Sequence, residues 1–373
     1  MTATRLTRRE LVRAAGAVAF AQMPSVPARA LESTEELADI AAKKGITFGC
    51  QISSSFFDSR YLHLYQSSVK LVTPENDLKA VRLNPDGARY NFSSADRILD
   101  FTTNNGIAVH GHTLVWANGK YNPPWIQQMP LDRVASFIDE YISTVVGHYR
   151  GKLASWDVVN EPTSLGEGNY PAYQSGPFFN ALGPDFVNRA FHAAREADSK
   201  AILVLNEAQT ERDDKMGLAW RRNLLTCLRG LVRASVPIQA VGLQAHLQPQ
   251  IPFDPRAFDS FLGSIEELGL DIYISELDVN DESFPDDVAE RDQKIAEAYG
   301  RFLAVALKHR RVRRLVLWGM ADPYSFYGPV FKQKHPEAAR KPRPLLLDAE
   351  FQRKPAWSAV ERALRDAPER RNA

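Results

Sequence analysis

The chain has 373 residues, of which 44% are hydrophobic, 24% charged and 10% aromatic, which excludes collagen-like, disordered and membrane-embedded classes. Lys and Arg number 46 against 45 Asp and Glu, so the net charge of +1 supplies no bulk positive field for nucleic acid. With only Cys50 and Cys227, a disulfide scaffold and a thiolate zinc site are excluded as well.

At the N-terminus, Thr7-Arg8-Arg9-Glu10-Leu11-Val12-Arg13 precedes a short apolar stretch over 14–23, and Ala28-Arg29-Ala30 offers a small-residue cleavage site. Paired arginines ahead of an apolar core resemble a twin-arginine export signal. Pro24 and Pro27 would break a helix that continued from here into the domain. The expectation is an export signal over 1–30 and one folded domain over 31–373, periplasmic or secreted. Losing five basic residues and one acid from 46 and 45 would leave that domain at −3.

Short apolar runs then recur at 46–52, 69–73, 107–115, 153–159, 201–205, 240–243, 271–275 and 315–318. Between them lie stretches with apolar residues at three- and four-residue spacing, notably 131–146, 186–197 and 289–307. Strands alternating with amphipathic helices predict parallel βαβ units, and eight such units fit this length as one (β/α)₈ TIM barrel. A doubly wound open sheet fits less well, because no G-x-G-x-x-G follows the first strand. In an exported chain the two cysteines could oxidise, but Cys50 falls in a strand-like run and Cys227 in a helix-like one, which suits buried free thiols at least as well, and the sequence leaves the two states open.

In such a barrel the C-terminal strand ends converge on one face. Here they carry Glu75, Asn76 and Lys79 after strand two; His110, His112 and Trp116 on strand three; and Asn160-Glu161 after strand four. Asn206-Glu207 follows strand five, Gln244-Ala-His246 strand six, Glu276-Leu-Asp278 strand seven and Trp318 strand eight. Glu161 and Glu276 each end a strongly apolar run, where a carboxylate is costly unless paired or functional. Strands four and seven lie across the barrel from one another. A glycoside laid over the mouth would have one acid on each side of a bond, an arrangement suited to its hydrolysis. Taken one at a time, each Glu could equally cap the following helix.

The motifs Gly111-His-Thr-Leu-Val-Trp116, Trp156-Asp-Val-Val-Asn-Glu-Pro162, Val241-Gly-Leu-Gln-Ala-His246 and Ile274-Ser-Glu-Leu-Asp-Val279 resemble those of glycoside hydrolase family 10, mostly endo-1,4-β-xylanases. Val72-Thr-Pro-Glu-Asn-Asp-Leu-Lys79, Leu317-Trp-Gly-Met-Ala-Asp322 and Lys354-Pro-Ala-Trp357 match in the right order. The likeness spans roughly residues 35–365 and implies the barrel fold. It implies that Glu161 is the general acid/base and Glu276 the nucleophile of a retaining double displacement, with carboxyls about 5–5.5 Å apart. His246 and Asp278 resemble the pair that orients the nucleophile, and Asn160 the contact to the sugar 2-hydroxyl. Glu75, Asn76 and Lys79 resemble hydroxyl contacts of the non-reducing-side sugars. His112, Gln244, Trp116 and Trp318 resemble walls of the cleavage subsite.

Four departures stand out: Ala80 where Trp is usual, the longer stretch from Ala117 to Trp125, Phe326 in place of a second Trp, and Asn206-Glu207 in place of Asn-Asp. They touch sugar subsites, so a glucan or branched substrate is the alternative within the same mechanism. Further alternatives are a metal-dependent barrel hydrolase built on His110-x-His112 and a non-catalytic xylan-binding protein. The partner expected is a xylan polysaccharide or oligosaccharide acted on by a monomer, without nucleic acid, membrane, metal or cofactor.

Overall fold

The computed structural model describes residues 35–165 and 172–370, so the export signal expected over 1–30 lies outside the described residues. Eight strands alternate with helices: β1 Thr47–Ile52, β2 Leu71–Pro74, β3 Ala108–Gly111, β4 Ser155–Asn160, β5 Ile202–Glu207, β6 Ala240–Leu243, β7 Asp271–Val279 and β8 Val312–Leu317. Every neighbouring pair is parallel, from Gly49↔Leu71 on β1 and β2 round to β8, which pairs with β7 and with β1 through Leu315↔Phe48. The ladder therefore closes on itself as the (β/α)₈ barrel.

The helices obey the local rules of their sequence. Helix Lys215–Arg233 starts where the Asp214 side chain accepts from the Gly217 N–H, and it buries Leu224, Cys227, Leu228 and Leu231 at helical spacing. Helix Pro255–Glu266 combines an Asp254 cap with Pro255 in its first turn, and helix Val288–Ala306 is capped by Asp287. Apolar residues buried between these helices and the strands form the core, including Phe48, Trp156, Phe191, Phe258, Tyr299 and Phe302.

Two strand boundaries depart most from the sequence reading. The apolar run 107–115 is not one strand: β3 ends at Gly111, and pairing resumes only at Val115–Trp116, against Val159 and Asn160 of β4. The interruption turns His112 inward onto Asp157, while Thr113 and Leu114 bond the Asp157 carbonyl. Strand β7 runs on to Val279, past the apolar stretch 271–275, because its acids are satisfied inside the barrel mouth.

That extension contains a β-bulge. Leu315 pairs with Ile274 but Leu317 with Leu277, so β7 holds one extra residue at Ser275–Glu276. In a regular strand consecutive side chains face opposite ways. Here Ser275 and Glu276 both bond the side chain of Asn206. A similar shift lies between Asp157 and Val159 of β4, so that Ser155 and Asp157 face the barrel interior and Asn160 does too.

Candidate active site

The strand ends bring Glu161 and Glu276 together at the barrel mouth through a continuous set of hydrogen bonds. Asn206 is the link: its Nδ2 donates to Glu276 Oε1 at 2.7 Å and to Asn160 Oδ1 at 3.0 Å, while Ser275 Oγ donates to its Oδ1 at 2.7 Å. Gly242 leaves room for this amide, since a Cβ there would lie 2.2 Å from Asn206 Oδ1.

Glu276 is buried and lies 3.1 Å from His246 Nε2 through its other oxygen. His246 Nδ1 is 2.9 Å from Asp278 Oδ1, which also accepts from the Tyr327 hydroxyl at 3.3 Å. Burial alone would raise the Glu276 carboxyl, but the His246 hydrogen bond and the charges of His112, His246 and Lys79 outweigh it and hold the group below the usual carboxylate range. Burial likewise opposes a charge on His246, yet Asp278 and Glu276 raise it well above an ordinary imidazole. The result is an anionic Glu276 beside a protonated ring.

Glu161 has different surroundings. It takes a left-handed backbone conformation, φ 52°, uncommon for a non-glycine residue, and its N–H donates to the Asn206 carbonyl at 2.8 Å. Its carboxylate accepts from Trp116 Nε1 at 3.0 Å and Gln244 Nε2 at 2.9 Å and remains partly open to solvent. An acid of this kind can exchange protons with a bound molecule, whereas Glu276 is enclosed.

The remaining predicted residues gather around these two. Lys79 Nζ donates to Asn76 Oδ1 at 3.2 Å and lies 4.6 Å over the Trp116 ring; burial pushes its ammonium down. Burial raises the half-buried Glu75, opposed by the charge of Lys79. Trp318 sets an edge against both His112 and His246, with ring centroids 5.6 and 6.1 Å apart.

His110 and His112 serve the barrel interior. Asp157 lies 3.0 Å from His110 Nε2 and 2.8 Å from His112 Nδ1, and Ser155 Oγ lies 2.6 Å from His110 Nδ1. Burial would raise Asp157, but the charge and hydrogen bond of His110, then those of His112, hold it down at about 2. The two rings are thus partnered within the barrel.

Four residues of the site had been given no role from the sequence. Asn206 was visible only as a polar strand end, and nothing in the pattern says that it bridges both acids. Tyr327 and Phe326 come from the proline-rich segment after β8, where helix Tyr327–Lys334 sets Phe326 5.4 Å from His246. Tyr121, in the lengthened segment after Trp116, stacks on Trp116 at 4.2 Å and 20°. It borders a cleft of about 430 Å³ on the Glu161 side, with Trp220, Met216, Gln174 and Gln248 on its other walls.

Paired carboxylates of unlike environment at the mouth of a closed parallel barrel define a site for acid/base and nucleophilic work on an uncharged, hydroxyl-rich substrate. The profile of glycosyl hydrolase family 10 matches residues 36–363, and the chain belongs to that family. It is 30% identical over 338 residues to endo-1,4-beta-xylanase B of Thermotoga neapolitana, covering 88% of this chain and 91% of that protein. Identity is also 30% to the beta-1,4-xylanase of Dictyoglomus thermophilum, over 81% of this chain and 84% of that one. Among solved structures, native xylanase 10B from Thermotoga maritima superposes with a TM-score of 0.78 at 28% identity, over 88% of this chain and 98% of its own. Xylanase 10B from Thermotoga petrophila RKU-1, solved with xylobiose, gives a TM-score of 0.78 at 28% identity, over 89% and 98%.

Proposed function

We propose that this chain hydrolyses internal β-1,4-xylosidic bonds of xylan with retention of configuration, Glu276 acting as nucleophile and Glu161 as general acid/base. The observation that carries this assignment is the contrast between the two carboxylates. Glu276 is held anionic by His246, which is itself fixed by Asp278, and by Asn206. Glu161 stands at the open side of the cleft.

In the first step a Glu276 oxygen attacks the anomeric carbon, the glycosidic C–O bond breaks, and Glu161 gives its proton to the departing oxygen. In the second, Glu161 takes a proton from water, which attacks the same carbon and releases Glu276. His246 and Asn206 hold the attacking carboxylate in one rotamer, so orientation is set before substrate arrives. In this reading Asn160, tied to Asn206, takes the sugar 2-hydroxyl. Glu75, Asn76 and Lys79 take hydroxyls on the non-reducing side, with His112, Gln244, Trp116 and Trp318 as walls.

Xylosyl units suit this reading as substrate because they are neutral, present hydroxyls to the amides and Lys79, and offer CH faces to Trp116 and Trp318. The experiment is reducing-end release from xylan by the purified chain and by Glu276→Ala, with the anomer of the first product followed by NMR. Turnover by the native chain with a β-anomer first, and none by Glu276→Ala, is expected. Near-normal hydrolysis by that variant would sink the assignment. The paired arginines at 8 and 9 support an exported enzyme, which a reporter fused to residues 1–30 would test; light scattering would test the monomer.

A further inference from the structure

Glu207 has no role in the reaction as described, yet it is the most enclosed carboxylate beside Glu161. It is fully buried at the end of β5, immediately after Asn206, and lines the same cleft as Glu161. Its Oε2 accepts both the backbone N–H of Thr163 at 3.0 Å and the Thr163 hydroxyl at 2.8 Å, and its Oε1 accepts the Ala208 N–H at 2.9 Å. Thr163 is two residues beyond Glu161, across Pro162. The backbone between β4 and Thr163 therefore has two anchors on β5, Glu161 N–H on the Asn206 carbonyl and Thr163 on Glu207. Between them Glu161 sits in the left-handed region, a conformation that persists in a non-glycine residue only when its surroundings over-determine it.

We propose that Glu207 is a positioning residue: by clamping Thr163 it holds the turn that aims the Glu161 carboxyl at the leaving-group oxygen. The inference rests on the assignment of Glu161 as acid/base. Burial pushes the Glu207 carboxyl up to about 8, against the Ala208 and Thr163 donors, so near neutrality the clamp is a neutral acid. Glutamine keeps a carbonyl acceptor for Thr163 and gives up only the acceptor facing the Ala208 N–H.

The test uses two substrates. Xylan needs a proton delivered to a poor leaving group; a dinitrophenyl β-xylobioside does not, because its phenolate leaves unaided. In Glu207→Ala, kcat/KM on xylan is expected to fall about tenfold or more while the value on the aryl glycoside stays within about twofold. Glu207→Gln is expected to recover most of the xylan activity. If Glu207→Ala does not fold, Thr163→Val removes the hydroxyl anchor alone, and the same split, about threefold, is expected.

Equal losses on both substrates would mean a merely structural role and overturn the proposal, as would unchanged xylan hydrolysis in folded Glu207→Ala or no recovery with Gln. Glu161→Ala run alongside separates the two levels. If it shows no split, the acid/base assignment fails; if it does and the folded clamp variants do not, only the role of Glu207 fails.

Discussion

Gly242→Ala tests the site without touching any group that meets substrate. Gly242 lies mid-strand on β6, in register with Asn206 of β5 and Tyr273 of β7, so its backbone is held from both sides. An added methyl would stand 2.2 Å from Asn206 Oδ1 and 3.0 Å from its Cγ, against an ordinary contact of 3.4 Å or more. The Asn206 side chain must therefore move by about 1 Å, taking its 2.7 Å bond to Glu276 beyond hydrogen-bond range. A hydrogen bond to a charged group contributes about 2 kcal/mol, so kcat/KM should fall by about thirtyfold. Losing a donor to the anion also raises the Glu276 pKa. Because the ionised form is the active one, the acid limb of the pH profile should move to higher pH. The assay is initial rates on xylan across pH, with a thermal melt to establish folding. On backbone entropy alone Gly to Ala in a strand should be harmless or helpful. A folded Gly242→Ala variant with native rates would refute the account of Asn206 as the bridge that holds the nucleophile.

Asp157 is held at about 2 against an ordinary 3.8, which amounts to about 2 kcal/mol of stability, present above pH 4 and lost as pH falls through 2. Urea melts of Asp157→Asn and the native chain should differ most at neutral pH and converge near pH 2. Lys354→Met removes the partner of Asp322, 3.0 Å away, from a buried cluster that also includes Asp292 and the Arg343 carbonyl. A loss of about 3–5 kcal/mol is expected in denaturant titration, together with a fall in kcat, because Asp322 opens the segment that carries Phe326 and Tyr327. Cys50 and Cys227 are both buried, with thiols pushed by burial up to about 12. A colorimetric thiol reagent should find none in the native chain and two after unfolding, and rapid native reaction would contradict their placement.

Much of this was legible in the chain itself. The β6 run was found at its observed bounds, and helices 186–197 and 289–307 differ by one residue at their ends from Asp185–Ala197 and Val288–Ala306. These elements are long or strongly patterned, and their caps are local. The errors came where tertiary contacts overrule pattern. Strand three breaks because His112 must reach Asp157, and β7 outlasts its apolar run because Glu276 and Asp278 find partners in Asn206, His246 and Tyr327. Tyr327 was hidden in a segment of prolines without periodicity, and Phe326 in the same segment was visible only as a departure from the family pattern.

The sequence by itself determined the alternation of strand and helix, the polar strand ends and the motif order that marks the family, since each depends on neighbours within a turn or two of chain. Only the tertiary structure decided which acid is clamped and which is open. That distinction depends on a bulge in β7, a missing Cβ on β6 and a left-handed residue after β4, three backbone facts whose effect appears when strands from different parts of the chain are laid side by side.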